Sequence, residues 1–183
     1  IEGEFNPMDL DLIAGFGFRL LPDHLLGINT HVLYEKIHTS SSFGFSADLA
    51  YTYLTPIRNL KIGTQIRNIG FTSKMKDESI DLPWGIEFLA AQEMKLNDII
   101  TPSFQIKIAK YVDENISTAI ATNIAFYDTL HLRLGNRIIH GSDYFKFSAG
   151  LGYVIGHFQV DYAFLVLEED LDNSHTFGVS YKF

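Results

Sequence analysis

The sequence contains no cysteine, so it can form neither a disulfide framework nor a thiolate metal site. No apolar run approaches the ~20 residues of a membrane-spanning helix. That excludes helical spans, but it says nothing against strands that cross a membrane. Charged residues make up only 20% of the chain and leave it at -8, which argues against a nucleic-acid partner needing a basic face. No GxSxG elbow is present, and none of the seven histidines (24, 31, 38, 131, 140, 157, 175) forms an HxxxH pair. A hydrolase nucleophile and a zinc site are therefore without a local motif. The chain opens Ile1-Glu2-Gly3, without an initiator Met or a signal peptide, and is read as a mature fragment.

What is present is alternation. Hydrophobic residues reach 46% and aromatics 14% of the 183 residues, enough for a folded, strand-rich chain. From Phe43 to Leu54, Phe43, Phe45, Ala47, Leu49, Tyr51 and Tyr53 share one face; Gly44, Ser46, Asp48, Ala50 and Thr52 share the other. The pattern returns from Phe145 to Ile155 and from His175 to Phe183. Further segments near 9–21, 25–38, 60–70, 84–91, 100–110, 115–126, 130–138 and 158–166 bring the total to about eleven strands. Most approach the ~9–11 residues that a tilted strand needs to cross a bilayer. No linker or low-complexity tract divides residues 1–183, so one domain is expected.

Connection lengths carry separate information. Tight turns are expected at 22–24, 127–129 and 156–157, on the same side as a connection near 55–59, and on the other side connections near 39–42, 72–83, 111–114, 138–144 and 167–173, of which 72–83 is the longest. This is the asymmetry of an outer-membrane barrel, with short periplasmic turns and longer external loops. The 92–99 stretch is too long for a tight turn and allows a short helical turn. External-loop candidates are Lys74, Lys76, Asp77 and Glu78 in one loop and Glu168, Glu169 and Asp170 in another. The acidic run 168–172 lacks the spacing and glycine of a calcium-binding EF-hand loop.

Alternation alone leaves the apolar face free to point at lipid or, as in a soluble ligand-binding barrel or a sandwich, at a core. Three features favour lipid. The polar faces are rich in Gly, Ala and Ser; aromatics gather at segment ends (Tyr51, Tyr53, Trp84, Tyr153, Phe158, Tyr162, Tyr181, Phe183); and the chain stops on an alternating strand. In that strand Phe177, Val179, Tyr181 and Phe183 share a face, as in the C-terminal signal that engages barrel-assembly machinery. A Lys or Arg on the lipid side at the midplane costs ~2–4 kcal/mol, so the polar residues of the opposite faces are expected in the lumen. These are Glu35, Asp48, Arg67, Glu87, Lys107, His131, Arg133, Lys146 and Asp161. Counting from the turns puts His131, Gly152 and Asp161 at one level, with Gly152 leaving room for His131 and Asp161 to approach. A second row is expected near Glu35, Ser46 and Arg67.

The order of short motifs resembles the PorV/PorQ family of outer-membrane barrels and related spirochaetal proteins with the FadL fold. The residues concerned are Ala47-Asp48-Leu49-Ala50-Tyr51, Leu60-Lys61-Ile62-Gly63, Asn68-Ile69-Gly70, Leu82-Pro83, Leu132-Arg133-Leu134-Gly135 and Ala149-Gly150-Leu151-Gly152. Val160-Asp161-Tyr162-Ala163-Phe164, an acidic loop, and the last strand from His175 to Phe183 complete the order. The resemblance implies an antiparallel transmembrane barrel of about fourteen strands, of which this chain is the C-terminal part. It implies a bacterial outer-membrane location and contact with its lipid. It further implies passive passage or binding of small, hydrophobic molecules, without an enzyme activity, cofactor or metal. The PorV/PorQ side implies an alternative, docking of secreted proteins in type IX secretion; a purely structural membrane protein is a third reading.

Overall fold

The structure, a computed structural model, describes residues 7–38, 40–75, 81–141, 145–167 and 173–182. Eleven strands follow in order: β1 (Met8–Leu21), β2 (His24–Ile37), β3 (Ser40–Leu54), β4 (Leu60–Thr72), β5 (Gly85–Glu93), β6 (Ile100–Tyr111), β7 (Ser117–Phe126), β8 (Leu130–Ile139), β9 (Phe145–Ile155), β10 (Phe158–Leu165) and β11 (Ser174–Tyr181). They form one antiparallel sheet in chain order, with β1 and β11 as its edges. Hairpins alone generate this topology, and period-2 alternation holds each register because a one-residue slip would move every apolar side chain to the other face.

Turn chemistry explains several connections. Gly156 takes φ +59° as the first residue of the two-residue β9–β10 turn, where glycine meets no steric penalty. Tyr127 and Asp128 both take positive φ (52° and 53°) between β7 and β8. No helix occurs among the described residues, and the helical turn allowed at 92–99 is not formed. There the β5–β6 hairpin continues instead. The Met94 N–H donates to Pro102 O at 2.9 Å and the Leu96 N–H to Ile100 O at 3.2 Å. Asn97 Oδ1 accepts from the N–H groups of Ile99 and Ile100, closing the tip locally. Of the loop expected at 39–42, Ser40, Ser41 and Ser42 belong to β3 instead, where they pair with Ile37, Lys36 and Glu35.

The two faces of the sheet differ in an unusual direction. Among the described residues the buried polar side chains are His31, Ser42, Ser46, Asp48, Glu87 and Ser117, whereas the buried hydrophobic ones are only Ala109 and Ala125. The large apolar residues are exposed, in rows such as Phe43, Phe45 and Leu49 on β3, Phe104, Ile106 and Ile108 on β6, and Leu130, Leu132 and Leu134 on β8. The polar face therefore takes the place that a soluble domain gives to its core.

β4 changes phase partway along. Gly63 and Arg67 share the polar face with Thr52 and Asp48, and beyond Asn68 it is Gly70 and Thr72 that face Ser46 and Gly44. Asn68 absorbs the extra residue with φ +58°, a left-handed conformation that Asn tolerates better than most. The apolar row shifts with it, from Ile62 and Ile66 to Ile69 and Phe71, all exposed.

Contacts group the chain into two compact units. The first comprises Ile1–Tyr53, Gly63–Glu87 and Lys110–Glu114; the second comprises Leu54–Ile62, Phe88–Ala109 and Asn115–Phe183. Each carries a polar cluster of its own.

Candidate functional site

In the first unit the buried cluster is built around Asp48, whose side chain is only 2% exposed. A carboxylate so placed must find donors, and it has three neighbours. The backbone N–H of Asn68 donates to Oδ1 at 2.9 Å, Arg67 Nε donates to Oδ2 at 3.4 Å, and His31 Nε2 lies 3.4 Å from Oδ2. The Asn68 donor is aimed there because the β4 phase change turns its N–H out of the ladder. His31, 7% exposed, is held from its other side by Asp11, whose oxygens lie 3.1 and 3.2 Å from Nδ1. Its Nε2 forms no hydrogen bond among the described residues, so the 3.4 Å approach to Asp48 is electrostatic contact alone. Arg67 also interacts with the Tyr111 hydroxyl, which donates to Glu87 Oε1 at 2.5 Å. Asp11, His31, Asp48, Arg67, Tyr111 and Glu87 thus form one chain of contacts over six strands, entirely within the first unit.

In the second unit the polar face of β6–β10 encloses a concavity of about 640 Å³. Its floor is formed by residues with little or no side chain, among them Ala121, Gly135, Ser148, Gly150 and Ala163. Arg133 and Asp161 meet across it at 2.5 Å. They reach each other over β9 at Gly152, where a Cβ would lie 2.6 Å from Asp161 Oδ1 and 2.9 Å from Arg133 Nη2. Gln159 donates its amide to both Asp161 oxygens, at 3.0 and 2.9 Å. Ser103, Gln105, Asn123, His131 and Lys182 add further polar groups to the lining.

The residues expected in the lumen can now be placed. Registers put Lys107, His131, Arg133, Lys146 and Asp161 on one polar face, opposite Ala119, Gly152, Gly150, Arg137 and Gly152 respectively. His131 and Asp161 both stand opposite Gly152, but the longer Arg133 takes the space, and His131 Nδ1 lies 3.3 Å from Asn123 Oδ1 instead. Asp48, Arg67 and Glu87 belong to the first unit's cluster. Glu35 does not join it: Ser42 is its partner, Ser46 faces His31, and Glu35 lines a smaller hollow with Asp9 and Asp11. Asp11, His31 and Tyr111 were not anticipated. An Asp and a His on the polar faces of consecutive hairpin strands were the available signal.

Phe177, Val179 and Tyr181 lie on the exposed apolar face of β11, and Lys74 lies two residues past the end of β4. Phe183, Lys76, Asp77, Glu78, Glu168, Glu169 and Asp170 lie outside the described residues. Among the described residues no group of His, Asp and Glu has the arrangement of a metal site. No protein-family model matches the chain, and no curated protein matches it either.

Proposed function

We propose that this chain forms wall of a bacterial outer-membrane β-barrel, related to the PorV/PorQ and FadL-type proteins, that binds or passively passes small molecules. The observation that carries the reading is the inverted partition of the two faces. Asp48, Glu87 and His31 are buried while the phenylalanine, leucine and isoleucine rows are exposed. Exposed apolar patches beyond a few hundred Å² are rare on soluble monomers and mark a surface that something apolar covers. Lipid would cover these rows, and nine of the eleven hairpin-paired strands, with 9 to 15 residues, reach the ~9–11 residues needed to cross it. Closure would come from strands that pair with the edges β1 and β11, since open edges are not tolerated in hydrocarbon. The polar clusters would then line the interior. A soluble barrel or sandwich would need the same apolar rows in its core.

A polar interior suits passage or binding without a cofactor or an enzymatic step. The preference for hydrophobic molecules, and the alternative of docking secreted proteins, rest on the resemblance alone. The test is fractionation of the native complete protein, with gel mobility compared before and after heating. Recovery in the outer membrane with a heat-modifiable band is the expected result. A soluble protein of unchanged mobility would overturn the reading.

A further inference from the structure

We propose that the polar face of the second unit is a binding surface for small oxyanions, with Arg133 as the recognition residue. The proposal rests on the barrel reading for its biological setting but names a substrate class of its own, water-soluble carboxylates or phosphates. The first ground is charge. On β6–β10 that face carries Lys107, Arg133, Arg137 and Lys146, and Asp161 is its sole acidic strand residue. Lys182 adds a cation to the lining of the concavity, and Asp128, at the β7–β8 turn, is the other carboxylate there. The chain as a whole is acidic, so this concentration of positive charge is local.

The second ground is hydrogen-bonding capacity. Asp161 is already engaged: Oδ1 accepts from Arg133 and Gln159, and Oδ2 accepts from Gln159. A guanidinium has five N–H donors, and its planar fork matches a carboxylate or phosphate. The Arg133 side chain remains 37% exposed beside an open volume of about 640 Å³. The third ground is room. Gly135, Gly150, Ser148 and Ala121 keep the floor low, so an ion can approach Arg133 without displacing a bulky neighbour. Asp161 then acts as an internal carboxylate that an incoming oxyanion competes with for the same guanidinium.

Competition predicts opposite effects from the two partners, which a purely structural ion pair would not. The complete protein in detergent would be dialysed to equilibrium against radiolabelled inorganic phosphate. Saturable binding is expected, weakened about tenfold by Arg133→Gln, since bidentate charge-assisted bonds are lost. Asp161→Asn should tighten it about threefold by removing the competing charge. Lys36→Gln, at the end of β2 in the other unit, should leave it unchanged. Absence of saturable binding, equal binding by Arg133→Gln, or weaker binding by a folded Asp161→Asn would each overturn the proposal. Gel mobility on the same samples separates the two readings. Phosphate binding by a soluble protein would keep the anion site and sink the barrel. A heat-modifiable barrel without phosphate binding would do the reverse.

Discussion

The two units solve the same problem, polar side chains on the sheltered face of a sheet, by different means. In the first, carboxylates are buried and tied down: Asp48 by a backbone N–H, an arginine and a histidine, Glu87 by a tyrosine. In the second, the acid is partly exposed, the basic residues outnumber it, and glycines hold open the space around it. The first arrangement leaves little capacity for anything else and behaves as a brace. The second leaves donors facing a cavity. Alternation runs through both, with a change of frame at Asn68 in the first, so the distinction lies in which side chains occupy the polar positions and how much of each is covered.

Substitutions can break this contrast, and the largest effect is expected at the centre of the brace. Asp48→Ala leaves an arginine, a histidine and a backbone N–H without their acceptor, and should destabilise the fold by about 4 kcal/mol, read as the shift in urea midpoint of the complete protein. Next comes Gly70→Ala, whose Cβ would collide with the backbone of Phe45 and Ser46; about 3 kcal/mol is expected in the same assay. Gly152→Ala, in the other unit, meets only the ends of the Asp161 and Arg133 side chains, which can move. A loss of about 1 kcal/mol should accompany weakening of the ion pair. Equal losses at Gly70 and Gly152 would erase the difference between rigid and adjustable clusters. The smallest effect concerns the exposed hairpin tip, where Lys95 lies 2.8 Å from Asp98. The hydrogen bond and charge of Lys95 hold the Asp98 carboxyl below its ordinary value. Its contribution is present above the usual carboxylate range and fades as pH falls through the lowered value. NMR titration should show Asp98 returning toward that range in Lys95→Met.

Much of the strand plan could be read from the sequence because each hairpin repeats one period. Registers followed wherever the turns were identified correctly. Placing the turns at 156–157 and near 138–144 set His131 and Asp161 opposite Gly152. The same counting gave the wrong row for Glu35, since Ser40, Ser41 and Ser42, assumed to lie in a loop at 39–42, are strand residues, which sets Glu35 opposite Ser42 rather than Ser46. Level alone also misjudged the partner of Asp161, because the long Arg133 side chain reaches diagonally where the shorter His131 ring does not. The Asp11–His31–Asp48 contacts depend on side chains leaning along the strands, which spacing does not encode.

A strand is a text read in twos, and Asn68 is an inserted letter that changes the reading frame of β4. Upstream of it the even-numbered residues Ile62 and Ile66 face outward; downstream the odd-numbered Ile69 and Phe71 do. Deleting that one residue would put Ile62, Ile66, Ile69 and Phe71 into a single frame, and the strand would lose its bulge and the backbone N–H that Asp48 accepts from rather than its facing. Elsewhere in this wall single insertions and deletions should therefore be accepted only in pairs, whereas loss of Asn68 alone keeps both halves of β4 facing as they do.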